Sequence, residues 1–582
     1  MPDLSQTQPF AFTCEGGLVK NRSTFIMQPG QALELLNFEP DIKGGYRRIS
    51  GFKKYVNQIV PQTSASSEKI LMVALFNNNI VAARGEKIFT SASAELGTLS
   101  TNAIAADTSM TGSSTITVKS TLGFSSSGTL QINSEQFTYT GKTATTFTGV
   151  TRAVNSTTAA AHSASGETAQ TVVSEDWTVR DTGRTSASKY TFERFNFDGN
   201  DKLIVVDGVN DPTVFNTSFS ATDVTESTVE GAKFVTAFRE HMFYAGMSST
   251  PQEIVFSQPF DEDAFNTGSG AGSVKVDDTI VGLKVFRENL FIFCENRIFK
   301  LTGSSSTDFA IAPVTRDIGC INGDTIQEFA GDLIFLGPDG LRTVAGTAKI
   351  GDVALGTVSS NVQSLFDENI ADSGLFDSVV IADKTQYRIF FVKDGSAETF
   401  TDGVICVMKG QNFEFAEIRG IKPSSTDTFV ESGDVIVVHG GFDGYIHRQE
   451  RGNDFNGTSI MGRYRSPDIT FGDPGIRKHM QRVILNYAPE SAINADMFVR
   501  YDYEGKDSAR PAAYPLDSTD VVAIYGTSSY GSPTYGGASQ PLIRQPVEGS
   551  GFAVALRVND NATTAPYSLK GFGLEYQVGA RR

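Results

Sequence analysis

The chain has 582 residues, with 66 acidic against 49 basic side chains and a formal charge of −17. That length exceeds one ordinary hydrophobic core and predicts two to four domains. The acidic balance argues against a sequence-reading nucleic-acid binder, which presents a basic face, but is compatible with a conduit whose walls repel phosphates and do not hold them.

Residues 1–60 form a lead-in. It opens MPDLSQTQPF, with no basic stretch before an apolar run, so no signal peptide is expected. Pro29–Leu36 is a weak helix candidate. QALELLNFEP, Gly44-Gly45 and YRRISGFKKY read as a hairpin: apolar strand, glycine turn, amphipathic strand. Lys43, Arg47, Arg48, Lys53 and Lys54 make this hairpin basic within an acidic chain. They are either a solvated strand face or a contact for an acidic partner subunit or DNA backbone.

Lys69–Thr90 reads as two or three short strands, a first propeller-blade fragment. Residues 91–112 have a linker composition. The stretch from Ser114 to Val154 alternates strictly, as in Ile116/Val118, Leu130/Ile132, Phe137/Tyr139 and Phe147/Val150, and predicts an inserted small β-domain over 105–172.

Beyond the insert a phrase repeats: FREHMFY from Phe238 and FRENLFI from Phe286, with looser echoes at Phe76, Phe197, Phe329 and the ESGDVIVV run. From Phe197 the steps are about 41, 48 and 43 residues, the period of four-stranded propeller blades. Units near 76, 197, 238, 286, 329, 385 and 430 predict six or seven blades over 61–104 and 173–453. Arg239/Glu240 and Arg287/Glu288 are expected in strand-to-strand turns. Ser359–Ile370 is the best short helix candidate. Long alternating strands after Asn453 predict a C-terminal β-sandwich-like domain over 454–582. Its Gly-rich loop with Tyr525, Tyr530 and Tyr535 is either surface disorder or an adaptable contact surface. The fold class is therefore all-β: a β-propeller with an inserted domain and a C-terminal sandwich.

Chemistry has no evident carrier. Cys14, Cys294, Cys320 and Cys406 form no CxxC pair, and the two in apolar strands, Cys294 and Cys406, read as small hydrophobes. Asp261-Glu262-Asp263 reads as a solvated inter-blade turn, His439 and His447 as structural, and Asp198-Gly199-Asn200-Asp201 as a hairpin turn that lacks a calcium loop's distal Glu. No nucleophile elbow or P-loop occurs, so no enzyme activity and no cofactor or metal is expected. No apolar stretch reaches the roughly 18 residues of a membrane span.

The lead-in carries Gly16-Gly17-Leu18, Pro29-Gly30-Gln31-Ala32, Leu35-Leu36-Asn37-Phe38 and the phrase from Gly45 to Phe52 with Arg48 and Gly51. In these it resembles the opening of tail nozzle proteins of short-tailed double-stranded DNA bacteriophages, also called tail tubular protein B or tail stabilisation proteins. The terminal LKGFGLEYQVGARR is similar to the end of that family, and the insert to a small β-module of phage structural proteins. The resemblance implies a homohexamer below the portal's adaptor ring in the virion, assembled in the host cytoplasm. It would enclose and guide phage DNA without reading it, and dock tail fibres or spikes. A receptor-binding or glycan-processing propeller is the alternative. The insert departs from the simplest nozzle plan and is expected to project outward.

Overall fold

The computed structural model describes residues 7–56, 59–60, 69–92, 114–117, 127–162, 172–174, 177–185, 189–344, 357–370, 375–392, 402–431, 434–490, 493–503, 512–517 and 542–581, apart from 78, 133–134, 144, 155 and 411. Three β-units share this chain: a seven-bladed propeller, an inserted small β-domain and a C-terminal sandwich.

The repeated phrase builds the propeller locally. Phe238 pairs with His241 and Phe286 with Asn289, so each phrase closes a two-residue hairpin. Arg239, Glu240, Arg287 and Glu288 all take positive φ, the backbone that lets a tight turn follow the strand twist. The turn joins the innermost strand of a blade to the second. Blade 1 comprises Ile70–Phe76, Asn79–Arg84, Lys87–Ala92 and Thr178–Asp181. Blades 2, 3 and 4 begin at Thr191–Phe195, Phe234–Phe238 and Ile280–Phe286, each with four strands. Blade 5 has three described strands, Gln327–Phe329, Asp332–Gly337 and Gly340–Thr343. The backbone of Val358 and the Ser359 side chain bond Leu341 in its last strand, just before the helix Gln363–Ile370. Blade 6 begins at Leu375–Ile381. Its first turn lacks the phrase and uses a 3-10 turn, Ala382–Lys384, ending on left-handed Thr385. Blade 7 consists of Ser425–Glu431, Asp434–Gly440, Ile446–Gln449 and, from the lead-in, Phe52–Lys54.

Burial holds the ring. Separate apolar clusters lie between successive blades, such as Val73, Leu75 and Phe89 of blade 1 against Ile436 and Val438 of blade 7. Phe243 and Ile254 of blade 3 meet Leu290 and Ile292 of blade 4 in the same way. The ring closes where the Val73 N–H donates to Ser425 Oγ at 3.1 Å and the Leu75 N–H to Asp427 Oδ2 at 2.8 Å.

The lead-in is threaded through both large units. Its hairpin forms between Phe38–Pro40 and Tyr46–Arg48, with the turn at Gly44 and Gly45. Glu34–Leu36 is strand, not helix, because it pairs with Gly462–Arg465 of the sandwich and touches Glu417 of blade 6. One sandwich sheet is thereby continuous with blade 6. The other contains Gln8–Thr13, the hairpin and the long strands Ile476–Pro489 and Tyr567–Arg581. YRRISGFKKY is thus two strands in two different sheets, breaking near Gly51.

The insert leaves blade 1 after Ala92 and returns at Thr178, between its third and fourth strands. The alternating residues Ile116, Leu130, Ile132, Phe137, Tyr139, Phe147 and Val150 form its core. Val172–Ser174 pairs with Gly128–Ile132 and belongs to it. Val118 lies outside the described residues.

Candidate contact surface and axial cavity

The five basic hairpin residues have different fates. Lys43 is exposed beside exposed Ile42 at the turn. Arg47 donates to Glu490 Oε1 at 2.7 Å and to Glu39 Oε1 at 3.2 Å. Arg48 is fully buried, donates to the Thr564 and Ile460 carbonyls at 2.8 and 3.1 Å, and faces Asp560 at 3.3 Å. It therefore leaves the contact set: its charge is spent joining hairpin to sandwich. Lys53 pairs with Asp454 at 2.6 Å, and the Lys54 ammonium sits 3.4 Å from the Tyr445 ring centre. Of the five only Lys43 is exposed; Arg47, Lys53 and Lys54 are half-buried and each is engaged by a neighbour.

Lys43 and Arg47 border a cleft of about 400 Å³ where hairpin, blade 6 and sandwich meet. Its floor is an ion network. Glu39 accepts from Arg47, from Lys384 at 2.7 Å, and from Gln386 and Arg388 at 3.1 and 3.2 Å. Glu450 accepts from Lys384 and Arg388, both at 2.5 Å. Burial pushes the Glu450 carboxyl up, but these two cations more than offset it and hold it at about 2.

Phe52 fastens the borrowed strand. Its ring lies 5.1 Å from His439, 4.9 Å from His447 and stacks on Phe455 at 5.2 Å. The two histidines are register partners, stacked at 5.0 Å. Burial keeps His439 well below its ordinary pKa and therefore uncharged; His447 Nε2 lies 3.0 Å from Asp443.

The acidic run 261–263 is not a simple solvated turn. Glu262 is buried and accepts from Lys202 of blade 2 at 2.7 Å, while its carbonyl accepts from the Tyr244 hydroxyl of blade 3. Asp263, hydrogen-bonded to Asp261, is pushed up to about 6. The Asp198–Asp201 segment is a turn in which Asp198 Oδ1 accepts from the Asn200 N–H at 3.1 Å. Tyr525, Tyr530 and Tyr535 lie outside the described residues.

The propeller axis holds a cavity of about 460 Å³, lined by innermost strands of blades 2 to 7. Lys189 bridges Asp324 and Asp377, 3.2 Å from each. Asp377 Oδ1 also accepts from Thr426 Oγ1 at 2.9 Å. Arg194 joins Asp427 and, at 2.6 Å, the Leu75 carbonyl. Glu193 is pushed up to about 7 by burial, against the lowering pull of Lys284 and Arg194. These residues span positions 189 to 427, and only ring closure brings them together. Their one sequence signal is an acid within an otherwise apolar strand, as in LFDSVVI.

Among the described residues no three His, Cys, Asp or Glu side chains are grouped to hold a metal ion, and no helix is long and apolar enough to cross a membrane. No protein-family model matches the chain. No curated protein matches it. Solved structures similar to parts of it include the Neurospora crassa Pan2 WD40 domain, at 8% identity over 69% of this chain and 96% of that one, TM-score 0.30. Chaetomium thermophilum Raptor matches at 10% identity over 69% of this chain and 29% of that one, TM-score 0.33. The computationally designed Ika8 protein matches at 10% identity over 68% and 99%, TM-score 0.29. Scores this low carry no argument, and the propeller assignment rests on the strand pairing itself.

Proposed function

We propose that this chain is a structural component of a phage tail: a nozzle subunit that assembles as a six-membered ring below the adaptor, encloses the DNA path, guides ejection and docks fibres or spikes. The observation that carries the reading is where the lead-in motifs sit. Several of the residues behind the family resemblance lie where the lead-in meets the large units, as Leu18 does by donating its N–H to the Phe415 carbonyl of blade 6. The Gly17 N–H donates to the Tyr46 hydroxyl at 3.0 Å, and that hydroxyl donates to the Gly30 carbonyl at 2.7 Å. Asn37 Nδ2 donates to the Arg419 and Met461 carbonyls, both at 2.9 Å, tying blade 6 to the sandwich. A Cβ on Gly51 would stand 1.9 Å from the Asp454 carbonyl oxygen. Short motifs fixed at such joints specify a way of docking propeller on sandwich, so sharing them favours a shared architecture.

The axial cavity is of small-molecule size and is crossed by ion pairs. In this reading DNA therefore runs through the middle of the ring of subunits, outside every propeller axis. The net acidic charge keeps phosphates from sticking there. Exposed Lys43, with half-buried Lys53 and Lys54 further along the lead-in, is the cation offered to the adaptor ring or the channel wall, and the insert projects as a further contact module. Negative-stain imaging of the purified chain mixed with its portal–adaptor complex tests this. Six-fold rings capping the adaptor are expected; a chain that stays monomeric and unbound at micromolar concentration overturns the reading.

A further inference from the structure

The axial cavity has a charge pattern that the nozzle reading does not use. Asp324 and Asp377 share a single ammonium, that of Lys189. The second oxygen of Asp377, Oδ2, is buried and has no hydrogen-bond partner, although the residue is only 4% exposed. Its other oxygen is saturated by Lys189, Thr426 and the Ser378 N–H. A bare carboxylate oxygen at such a depth is costly unless a donor reaches it. Elsewhere in the cavity Arg194 is committed to Asp427. Lys284 acts on Glu193 through space and Thr236 hydrogen-bonds it, but no ion pair reaches that carboxyl among the described residues. The lining thus counts four acids, Glu193, Asp324, Asp377 and Asp427, against three bases, Lys189, Arg194 and Lys284.

We propose that the axial cavity binds a slender organic dication of the diamine or polyamine class, with one ammonium donating to Asp377 Oδ2 and the other lying toward Glu193. A compact metal ion is the poorer match, since no three carboxylates converge among the described residues. An ammonium supplies directional donors for the lone oxygen, and a methylene chain crosses the apolar faces of Val235, Leu283 and Val379. The site sits within one propeller and stands whether or not the chain forms a ring.

The test is calorimetric titration of the full chain with 1,4-diaminobutane, in about 0.15 M salt so that exposed-charge binding is screened. Saturable binding at one site per chain is expected, with 1,4-butanediol binding at least tenfold more weakly. Asp377→Asn should weaken the diamine at least tenfold. Glu193→Gln should weaken the diamine but leave 1-aminobutane unchanged, which keeps the test decisive should the Asp377 variant fold poorly. Absence of saturable binding, equal binding of the diol, displacement of the diamine by equimolar magnesium, or a Glu193 variant indistinguishable from wild type would each overturn the proposal.

Discussion

At Arg48 a full positive charge sits where no water reaches it, held by the Thr564 and Ile460 carbonyls and 3.3 Å from the Asp560 carboxylate. Removing one partner of such a set strands the others. Arg48→Ala is expected to destabilise the chain by about 3–5 kcal/mol. Lys43→Glu, five residues earlier on the exposed turn, should change stability by less than about 0.5 kcal/mol. Chemical denaturation of both variants separates the two roles. In sequence the five cations look like one basic strip, because charge is legible but the sheet each strand joins is not. The repeated turn was more legible. Its spacing placed Arg239/Glu240 and Arg287/Glu288 correctly, and the structure adds that each turn reaches the next blade. Arg239 approaches Glu288 at 3.4 Å, and Arg287 donates to the Gly331 carbonyl at 2.5 Å. A non-glycine residue at positive φ is strained, so Glu240→Gly, which retains Arg239, should stabilise by about 0.5–1 kcal/mol and raise the melting temperature. The four cysteines are buried, and burial pushes Cys14, Cys294 and Cys320 up to about 12. Iodoacetamide should label the native chain negligibly and the denatured chain at all four.

Among elements, the strand Phe52–Lys54 has the most leverage. It completes blade 7 by pairing with Ile446–Gln449 while its upstream neighbour belongs to the sandwich. Gly51 makes the passage possible, because any Cβ there meets the Asp454 carbonyl oxygen. Gly51→Ala should therefore cost more than about 3 kcal/mol and open blade 7 first, read as faster amide exchange in Asp434–Gly440 than in blade 3. Period-two alternation made the insert legible down to its core residues, since a strand with one buried face must alternate. The borrowed strand was not legible. Nothing in FKK indicates that its partner lies some four hundred residues away, and pairing across that separation is set by ring closure.

For the whole molecule, ring closure also creates the electrostatics. Glu193 faces Thr236 and Lys284 from blades 3 and 4, Arg194 from its own strand, and the Lys189–Asp324–Asp377 group and Asp427 around the cavity. Its folded pKa is raised, to about 7, so the folded state holds the proton longer than the unfolded chain. That contribution to stability is complete below about pH 4.5 and is lost as pH rises through 7. Glu450 runs oppositely: held at about 2, its contribution is present at neutral pH and lost as pH falls from about 4.5 toward 2. Denaturation midpoints measured from pH 5 to 7 should fall for the wild type and fall less steeply for Glu193→Gln, the remaining slope coming from Asp263, itself raised to about 6. None of this was visible in the sequence, where these acids are isolated letters in separate strands. The propeller, insert and sandwich were visible, because repeat, alternation and composition are local signals. In the proposed nozzle role, six copies of this chain surround the DNA path. Cryo-electron microscopy of virions carrying a tag inserted within residues 105–112 tests it. Tag density is expected at six positions around the tail below the adaptor; particles without the tag, or with it on the capsid or at fibre tips alone, would overturn the nozzle role.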